Sequence, residues 1–356
     1  MPQVKPSITI EGHAYFSDKT KELVKWMPSE GIAVIQHQDI DEMAAISFVQ
    51  KNVKAVLNLS SSMSGQYPSS GTKQLLDANI PVFDVLNKQE FKDTFKQGCK
   101  LNIVDETMIW QGQSQLQRIS PVLRYTDDVL DQKEKLAKQN LVHSLRAFTE
   151  NTLSHAYREM DEILKTYDLP LIANTLRHRH VVVVTRGSGY IEDLRAIHGY
   201  IQEKKPVLIG VDGGADAIIE CGYQPDIIFG DMDSVSEEAL QSGANVVVHA
   251  YPNGYAPGLE VIKAHGLQAH LFPCFGTSED AAQLLAYEAG AVLIVTLGSH
   301  TNMFDFLEKG RKGMGSTLLV RLKIGEKLVD AKGVRLLYPH HQVEKSGEST
   351  CILKTT

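Results

Sequence analysis

Four continuous apolar runs mark the second half of the chain: "HVVVVT" (His180–Thr185), "PVLIGV" (Pro206–Val211), "DIIF" (Asp226–Phe229) and "AVLIVTL" (Ala291–Leu297). None alternates with polar residues, which is the pattern of strands covered on both faces. Helix-like segments lie between them, such as "YIEDLRAIHGYIQEK" and "SEDAAQLLAYEAG". Strands alternating with helices predict a doubly wound parallel sheet. The first third has a similar rhythm. "IAVIQH", "KAVLNL" and "PVFDVL" read as strands, and "DEMAAISFVQK" and "TKQLLDAN" as helices. From Lys100 the pattern changes: "LNIVDETMIWQG" alternates and ends in glycine, as a small antiparallel hairpin would.

Between the two halves, Leu141, Leu145, Phe148, Ala156, Met160, Ile163 and Tyr167 recur at helical spacing. They predict one long helix over Val129–Tyr167, about 57 Å at roughly 1.5 Å per residue. Pro170 ends it. Past Gly313, "STLLVRLKIG" reads as a strand and "LVDAKGVRLLY" as a short hairpin, followed by a polar tail. The expected organisation is an N-terminal smaller α/β domain with a hairpin (1–128), a long connecting helix (129–170), a doubly wound α/β domain (171–313) and a C-terminal β-hairpin with its tail (314–356). The helix is expected to pack across both domains, with a dimer-forming role as the alternative.

Composition narrows the class. With 43% apolar and 22% charged residues, the 356-residue chain is an ordinary globular protein. Its net charge of −7 disfavours a broad nucleic-acid surface. The four cysteines are far apart, which argues against a zinc cluster or a disulfide scaffold. The amino terminus lacks a signal-peptide pattern, and no run approaches the length needed to cross a bilayer, so a cytoplasmic location is expected.

Ligands of open α/β sheets bind at the carboxyl ends of the strands. In the second half those ends carry Arg186-Gly187-Ser188-Gly189, Asp212-Gly213-Gly214-Ala215-Asp216 and Gly230-Asp231-Met232-Asp233-Ser234. A fourth loop, Gly276-Thr277-Ser278-Glu279-Asp280, opens a helix. So many carboxylates on one edge repel unless a counter-charge joins them. Mg²⁺ supplies one, and it bridges carboxylates to phosphate oxygens. Asp231 and Asp233 would then hold a metal against a nucleotide's phosphates, with Arg186 neutralising charge and the glycines admitting the phosphate. Each loop also has a plain structural reading. Asp233 or Ser234 could cap a helix, Thr277 or Ser278 could be an N-cap, and the Asp212 loop could be a tight turn. In the first third, His37, Asp39, Asp41, Ser60–Ser62, Ser64 and Gly65 also follow strands, where caps and a serine-rich turn are the favoured reading. His178–His180 reads as a solvated basic turn.

"VDGGADAIIECGYQPDIIFGDMDSVS" resembles the core of thiamin pyrophosphokinases, with an Asp-Gly-Gly-Ala loop, Pro-Asp before a strand, and Gly-Asp-x-Asp-Ser after it. That resemblance spans roughly Val181 to Gly298. It implies ATP or another nucleoside triphosphate, with Mg²⁺ at Asp212, Asp231 and Asp233. It implies catalytic roles for Asp231, Asp233 and Asp280. Arg186, Gly187, Gly213, Gly214, Ser234, Thr277, Ser278 and Glu279 would complete the nucleotide site. Over nearly the whole chain, "IAVIQHQDIDEMAA", "SMSGQYPSSG", "PVLIGVDGGADA", "GDMDSVSEEAL", "VVHAYPNGYAPGLE", "GTSEDAAQLLA" and "LVDAKGVRLLY" together resemble the SteA-like proteins of the bacterial cytokinetic ring. This second resemblance implies a nucleotide-responsive interaction protein of cell division, recruited to the septum. With no membrane span in the chain, the apolar stripe of the long helix is expected to self-associate, giving a homo-oligomer, or to dock a division-apparatus protein.

The departures concern the acceptor. Gly276 and Thr277 stand where thiamin pyrophosphokinases have Lys-Asp. "LGSHTNMFDF" replaces their Gly-Gly-Arg-x-Asp-His element, and the tail is too short for their β-sandwich. The tail "HHQVEKSGESTCILKTT" is too polar to span a membrane, unlike many SteA-like chains. An active pyrophosphokinase acting on thiamin or a pterin-like alcohol stays open as an alternative. So, more faintly, does a glycosyltransferase using Asp-x-Asp.

Overall fold

The computed structural model describes residues 8–111 and 117–337. The chain forms two compact units. The first takes the chain up to Lys165 together with His300–Leu322; the second takes Thr166–Ser299 and the chain from Lys323.

The first unit contains β1 (Thr9–Phe16), α1 (Thr20–Trp26), β2 (Ile32–Ile35), α2 (Glu42–Lys51), β3 (Ala55–Asn58), α3 (Gly71–Asp77), β4 (Val82–Val85), α4 (Lys88–Thr94), β5 (Cys99–Val104), β6 (Thr107–Gln111), β7 (Gln117–Arg124) and α5 (Asp127–Ile163). Its seven strands close into a barrel in the order β1-β2-β3-β4-β7-β6-β5. This corrects the expected open α/β domain with a separate hairpin. β1 runs parallel to β2 on one side and antiparallel to β5 on the other, and β7 joins β4 to β6, so no edge is left open. The two halves of the barrel wall differ in burial. β2, β3 and β4 are buried at every position, because the barrel interior covers one face and α1–α3 with α5 cover the other. β5 alternates buried and exposed, because solvent covers its outer face. The interior is filled by side chains including Phe83, Leu101, Met108 and Trp110.

Helix α5 is 37 residues long and begins at Thr126, whose side chain accepts from the Val129 N–H. The expected apolar stripe is covered only in part. Phe148, Ala156 and Ile163 are buried, whereas Leu145 and Met160 are exposed.

The second unit contains β8 (His180–Val184), α6 (Tyr190–Ala196), α7 (His198–Lys204), β9 (Val207–Val211), α8 (Gly214–Glu220), β10 (Ile227–Gly230), α9 (Glu237–Leu240), β11 (Asn245–Ala250), α10 (Gly258–Ala264), β12 (His270–Pro273), α11 (Ser278–Glu288) and β13 (Leu293–Leu297). Past β13 the chain returns to the first unit for α12 (Met303–Leu307) and most of α13 (Gly315–Ile324), and β14 (Leu328–Asp330) belongs to the second. The sheet is parallel throughout, with order β12-β11-β10-β9-β8-β13-β14. The strand order reverses between β8 and β13, and α11 packs across β8, β9, β10 and β13.

Two C-terminal expectations are overturned. "STLLVRLKIG" forms helix α13, not a strand. Its most buried side chains, Thr317, Val320 and Ile324, follow a step of three and then four, a helical period, and Leu322 between them is 74% exposed. The expected hairpin is absent too. β14 instead joins the sheet beside β13, and Val334–Leu337 form a 3-10 turn. A buried carboxylate holds that turn. Asp193 on α6, 0% exposed, accepts from the Gly333 N–H (2.8 Å), the Arg335 N–H (3.0 Å) and Arg335 Nη1 (2.9 Å). The polar tail from His340 lies outside the described residues.

Candidate functional site

The chain places aspartates at the carboxyl ends of two neighbouring strands, β9 and β10, and the loops bring three of them together. Asp212, Asp231 and Asp233 each offer a carboxylate oxygen within 4.8 Å of the others. Burial explains the Asp-x-Asp spacing. Met232 is 2% exposed and packs with Ala215, Ile228, Ala239 and Leu240. Its neighbours Asp231 and Asp233 therefore remain exposed on either side of an apolar anchor. Helix capping does not account for the pair, since the α9 cap is Ser236, which accepts from the Ala239 N–H at 3.1 Å.

The backbone here is strained, and backbone contacts fix the acids. Asp212 (φ +47°) and Met232 (φ +65°) both occupy the left-handed region. For a non-glycine residue that costs about 1–3 kcal/mol and persists only where the surroundings enforce it. The Asp212 N–H donates to the Phe229 carbonyl at 2.8 Å, and Asp212 Oδ1 accepts from the Met232 N–H at 3.2 Å. Asp231 Oδ1 accepts from the Asp233 N–H at 3.2 Å. Two glycines make room. A Cβ on Gly230 would lie 2.0 Å from Asp212 Oδ1, and one on Gly258 would lie 2.3 Å from the Asp231 carbonyl oxygen.

Arg186 lies beside this group. A Cβ on Gly213 would meet Arg186 Cδ at 2.3 Å and the Ser234 carbonyl at 3.2 Å, so Arg186, Gly213 and Ser234 are in contact range. Burial raises the Tyr190 phenol above its ordinary range, against the pull of the neighbouring Arg186 guanidinium. Gly187 abuts the Gly298 carbonyl, where the β8 and β13 loops meet, and Gly214 opens α8 against the Val184 carbonyl.

The fourth loop is structural in its local bonding. Thr277 and Asp280 form a capping box: the Asp280 N–H donates to Thr277 Oγ1 (3.1 Å) and the Thr277 N–H to Asp280 Oδ2 (3.0 Å). Asp280 and Glu279 are buried, and Asp280 is not one of the three clustered acids. Ser278 faces His249, a residue the sequence reading missed. His249 Nε2 lies 3.1 Å from the Cys274 carbonyl and Nδ1 3.4 Å from Ser278 Oγ. If Nε2–H donates to the carbonyl, Nδ1 accepts from the serine. Burial lowers the imidazole below its usual range, opposed by the carbonyl and by Asp231 nearby. Burial thus favours the neutral imidazole at His249, close to the acidic group. Its only signal in sequence was a histidine near the end of "NVVVHA". Burial pushes the Cys274 thiol up to about 12, which removes it as a nucleophile.

In the barrel unit, the polar residues after β2 and β3, with Asp84 on β4, are held by local hydrogen bonds. Asp41 caps α2 through the Ala44 N–H at 2.6 Å. Asp39 accepts from the Ser64 N–H (2.6 Å) and Ser64 Oγ (2.9 Å). Asp84 accepts from Ser62 Oγ (2.6 Å) and the Tyr125 hydroxyl (2.9 Å). Burial raises both carboxyls above the usual range. These bonds fit the cap-and-turn reading. His180 Nδ1 pairs with the Tyr200 hydroxyl at 2.8 Å.

Among the described residues no helix is long and apolar enough to cross a membrane. No curated protein matches the chain. Among solved structures, a thiamine pyrophosphokinase from Bacillus subtilis is similar, with 21% identity over 42% of this chain and a TM-score of 0.27. The chain spans 60% of the length of that relative. Residues 199–260, which include all three clustered aspartates, match the family model of the thiamin pyrophosphokinase catalytic domain.

Proposed function

We propose that the second unit binds a nucleoside triphosphate through Mg²⁺, with Asp212, Asp231 and Asp233 as the protein ligands. The observation that carries this reading is their convergence within 4.8 Å. Oxygens on one Mg²⁺ at about 2.1 Å lie roughly 3 Å apart when adjacent and about 4.2 Å when opposite. Small rotamer changes in the exposed Asp231 and Asp233 close the difference. The metal would neutralise the three carboxylates and bridge them to phosphate oxygens, and Arg186 would add a fixed positive charge. Tyr251 and Tyr255 sit on the loop that ends at Gly258, the residue packed on Asp231. Their rings are exposed, 6.0 Å apart and within 9° of parallel, and they offer flat faces to a base.

The motif resemblance to SteA-like proteins supports a role in division, with the nucleotide-bound state governing association with a division protein at the septum. Nucleotide can bias such association only if it binds the two states with different affinity. Residues 199–260 favour a second reading, transfer of a diphosphoryl group from ATP to an alcohol, releasing AMP. The acceptor oxygen would attack the β-phosphorus, the bond to the α-phosphate oxygen would break, and the hydroxyl proton would leave to solvent or a base.

Calorimetry with ATP, ADP, GTP, a sugar nucleotide and tripolyphosphate, with and without Mg²⁺, tests the first reading. Absence of heat from all of them at millimolar ligand refutes it. Tighter binding of ATP than of tripolyphosphate supports a base contact. AMP formed only when thiamin or a pterin alcohol is added supports the second reading, and preference for the sugar nucleotide points to glycosyl transfer.

A further inference from the structure

The loop after β8, Arg186-Gly187-Ser188-Gly189, has glycine at two of its four positions, and Gly189 sits at φ +66°. Glycine leaves a backbone free to take many forms, so the shape of this loop is set by what packs on it. Gly187 is pinned on one side, where a Cβ would lie 2.2 Å from the Gly298 carbonyl oxygen. Gly189 is pinned by a residue from the far end of the second unit. A Cβ on Gly189 would lie 2.2 Å from Arg335 Cζ, 2.3 Å from Nη1 and 2.5 Å from Nη2. Cζ is the nearest of the three, so the guanidinium presents its flat face to the loop backbone, and only glycine leaves room for it. Asp193, in the first turn of α6, fixes that guanidinium. Its carboxylate accepts from Arg335 Nη1 at 2.9 Å and from the Arg335 N–H at 3.0 Å. The Asp193 N–H in turn donates to the Gly189 carbonyl at 3.0 Å, which ties the helix to the same loop.

Arg335 could serve the neighbouring site by charge or by position, and its surroundings favour position. A carboxylate that is 0% exposed already balances the guanidinium, so the pair offers an anion little net charge. What reaches the loop is the flat face. At the other end of the loop, the Arg186 side chain lies against Gly213, where a Cβ would meet Arg186 Cδ at 2.3 Å and Nη1 at 3.1 Å. Gly213 directly follows Asp212, one of the three clustered acids. We propose that Arg335 is a positioning residue: by pinning Gly189 it holds the Arg186–Gly189 loop in the shape that sets Arg186 beside the three aspartates. Its ligand is the Mg²⁺–nucleotide proposed above, and the assignment rests on that reading.

Hydrogen exchange and calorimetry on the full chain, with Mg²⁺ and ATP, test it. Arg335→Ala would leave the buried Asp193 without its charge partner and lower stability. Arg335→Lys keeps the charge and loses the plane, so it is the informative variant. It should melt close to wild type. The Tyr190 and Asp193 amides, bonded to the Gly187 and Gly189 carbonyls, should exchange faster than in wild type. Mg²⁺–ATP should bind about tenfold more weakly, because the loop and the Arg186 side chain must then be ordered on binding. Gly189→Ala attacks the same contact from the loop side and should speed exchange and weaken binding at least as much. Arg186→Gln separates position from charge. If Arg335 acts through Arg186, Arg335→Lys should cost less than about twofold in the Arg186→Gln background. A separate phosphate contact, or a general loss of structure, would cost the full factor again, and that result overturns the proposal. So does an Arg335→Lys variant that exchanges and binds as wild type does. If wild type itself gives no heat with ATP, the nucleotide reading falls while exchange still decides the clasp, which unchanged rates in Arg335→Lys and Gly189→Ala would overturn.

Discussion

Replacing Asp231 with asparagine should move stability in opposite directions with and without metal. In metal-free buffer Asp231 lies within 4.8 Å of two other carboxylates. Two unit charges at that distance repel by about 0.9 kcal/mol in water-like surroundings, the setting suited to exposed side chains, so two neighbours give about 1.7 kcal/mol. Asparagine removes this repulsion and keeps an oxygen to accept the Asp233 N–H that Asp231 holds at 3.2 Å. The variant should therefore melt roughly 3–7 °C above wild type in EDTA, for a unit of this size. In about 1 M salt the screening length falls to about 3 Å and most of that gain should vanish. Mg²⁺ reverses the order of response. At a tenfold excess over the dissociation constant, wild type gains about 1.4 kcal/mol. A variant that binds about tenfold more weakly gains about 0.4 kcal/mol at the same concentration. Thermal melts in EDTA, in EDTA with salt and across a Mg²⁺ titration read all three effects. A variant less stable than wild type in EDTA would show that Asp231 is a structural acceptor and that the repulsion is already relieved. An equal Mg²⁺ shift in both proteins would remove Asp231 from the ligand set.

Other consequences are more local. Gly258→Ala should lower Mg²⁺-dependent nucleotide heat at least as much as Asp231→Asn does, because its Cβ would lie 2.3 Å from the Asp231 carbonyl and must displace that loop; unchanged binding would separate the loop from the site. The barrel should show a pH signature from Asp84. Its carboxyl is raised in the folded state by burial, so its contribution is fully present below the unfolded value near 3.8 and is lost as pH rises through the folded value. Asp84→Asn should flatten that part of the stability profile from pH 4 upward, measured by urea unfolding at fixed pH; an unchanged slope would mean the fold compensates elsewhere.

The sequence revealed most where one physical rule acted alone. Strands covered on both faces, such as β8 and β9, need apolar residues at every position, so they stood out as continuous runs. The same rule misled in "STLLVRLKIG", where a short apolar run fits a buried helix as well as a strand, and contacts elsewhere decide. Closure of the barrel was hidden because β1 and β7 carry many exposed positions and lack a continuous run. The helical period of α5 was plain, but period alone does not say which residues of the stripe are covered. At the site, the acids could be found because strand ends are a general ligand position. His249 and Gly258 could not, since their roles depend on contacts with Cys274, Ser278 and Asp231, which are distant in sequence.

The Asp193 carboxylate has a consequence for the order in which the protein is made. Its main-chain and guanidinium donors lie at Gly333 and Arg335, 140 and 142 residues later. During synthesis at about 5–20 residues per second, β8 and α6 leave the ribosome roughly 7–30 s before those donors exist. Throughout that interval a carboxylate destined for complete burial has only water as its partner, and the cost of desolvating it disfavours early docking of α6. The same late segment supplies β14, the strand that covers the outer edge of β13. Closure of the second unit therefore waits for the chain to be nearly finished, and a nascent chain stalled before Arg335 remains open and within reach of chaperones and proteases.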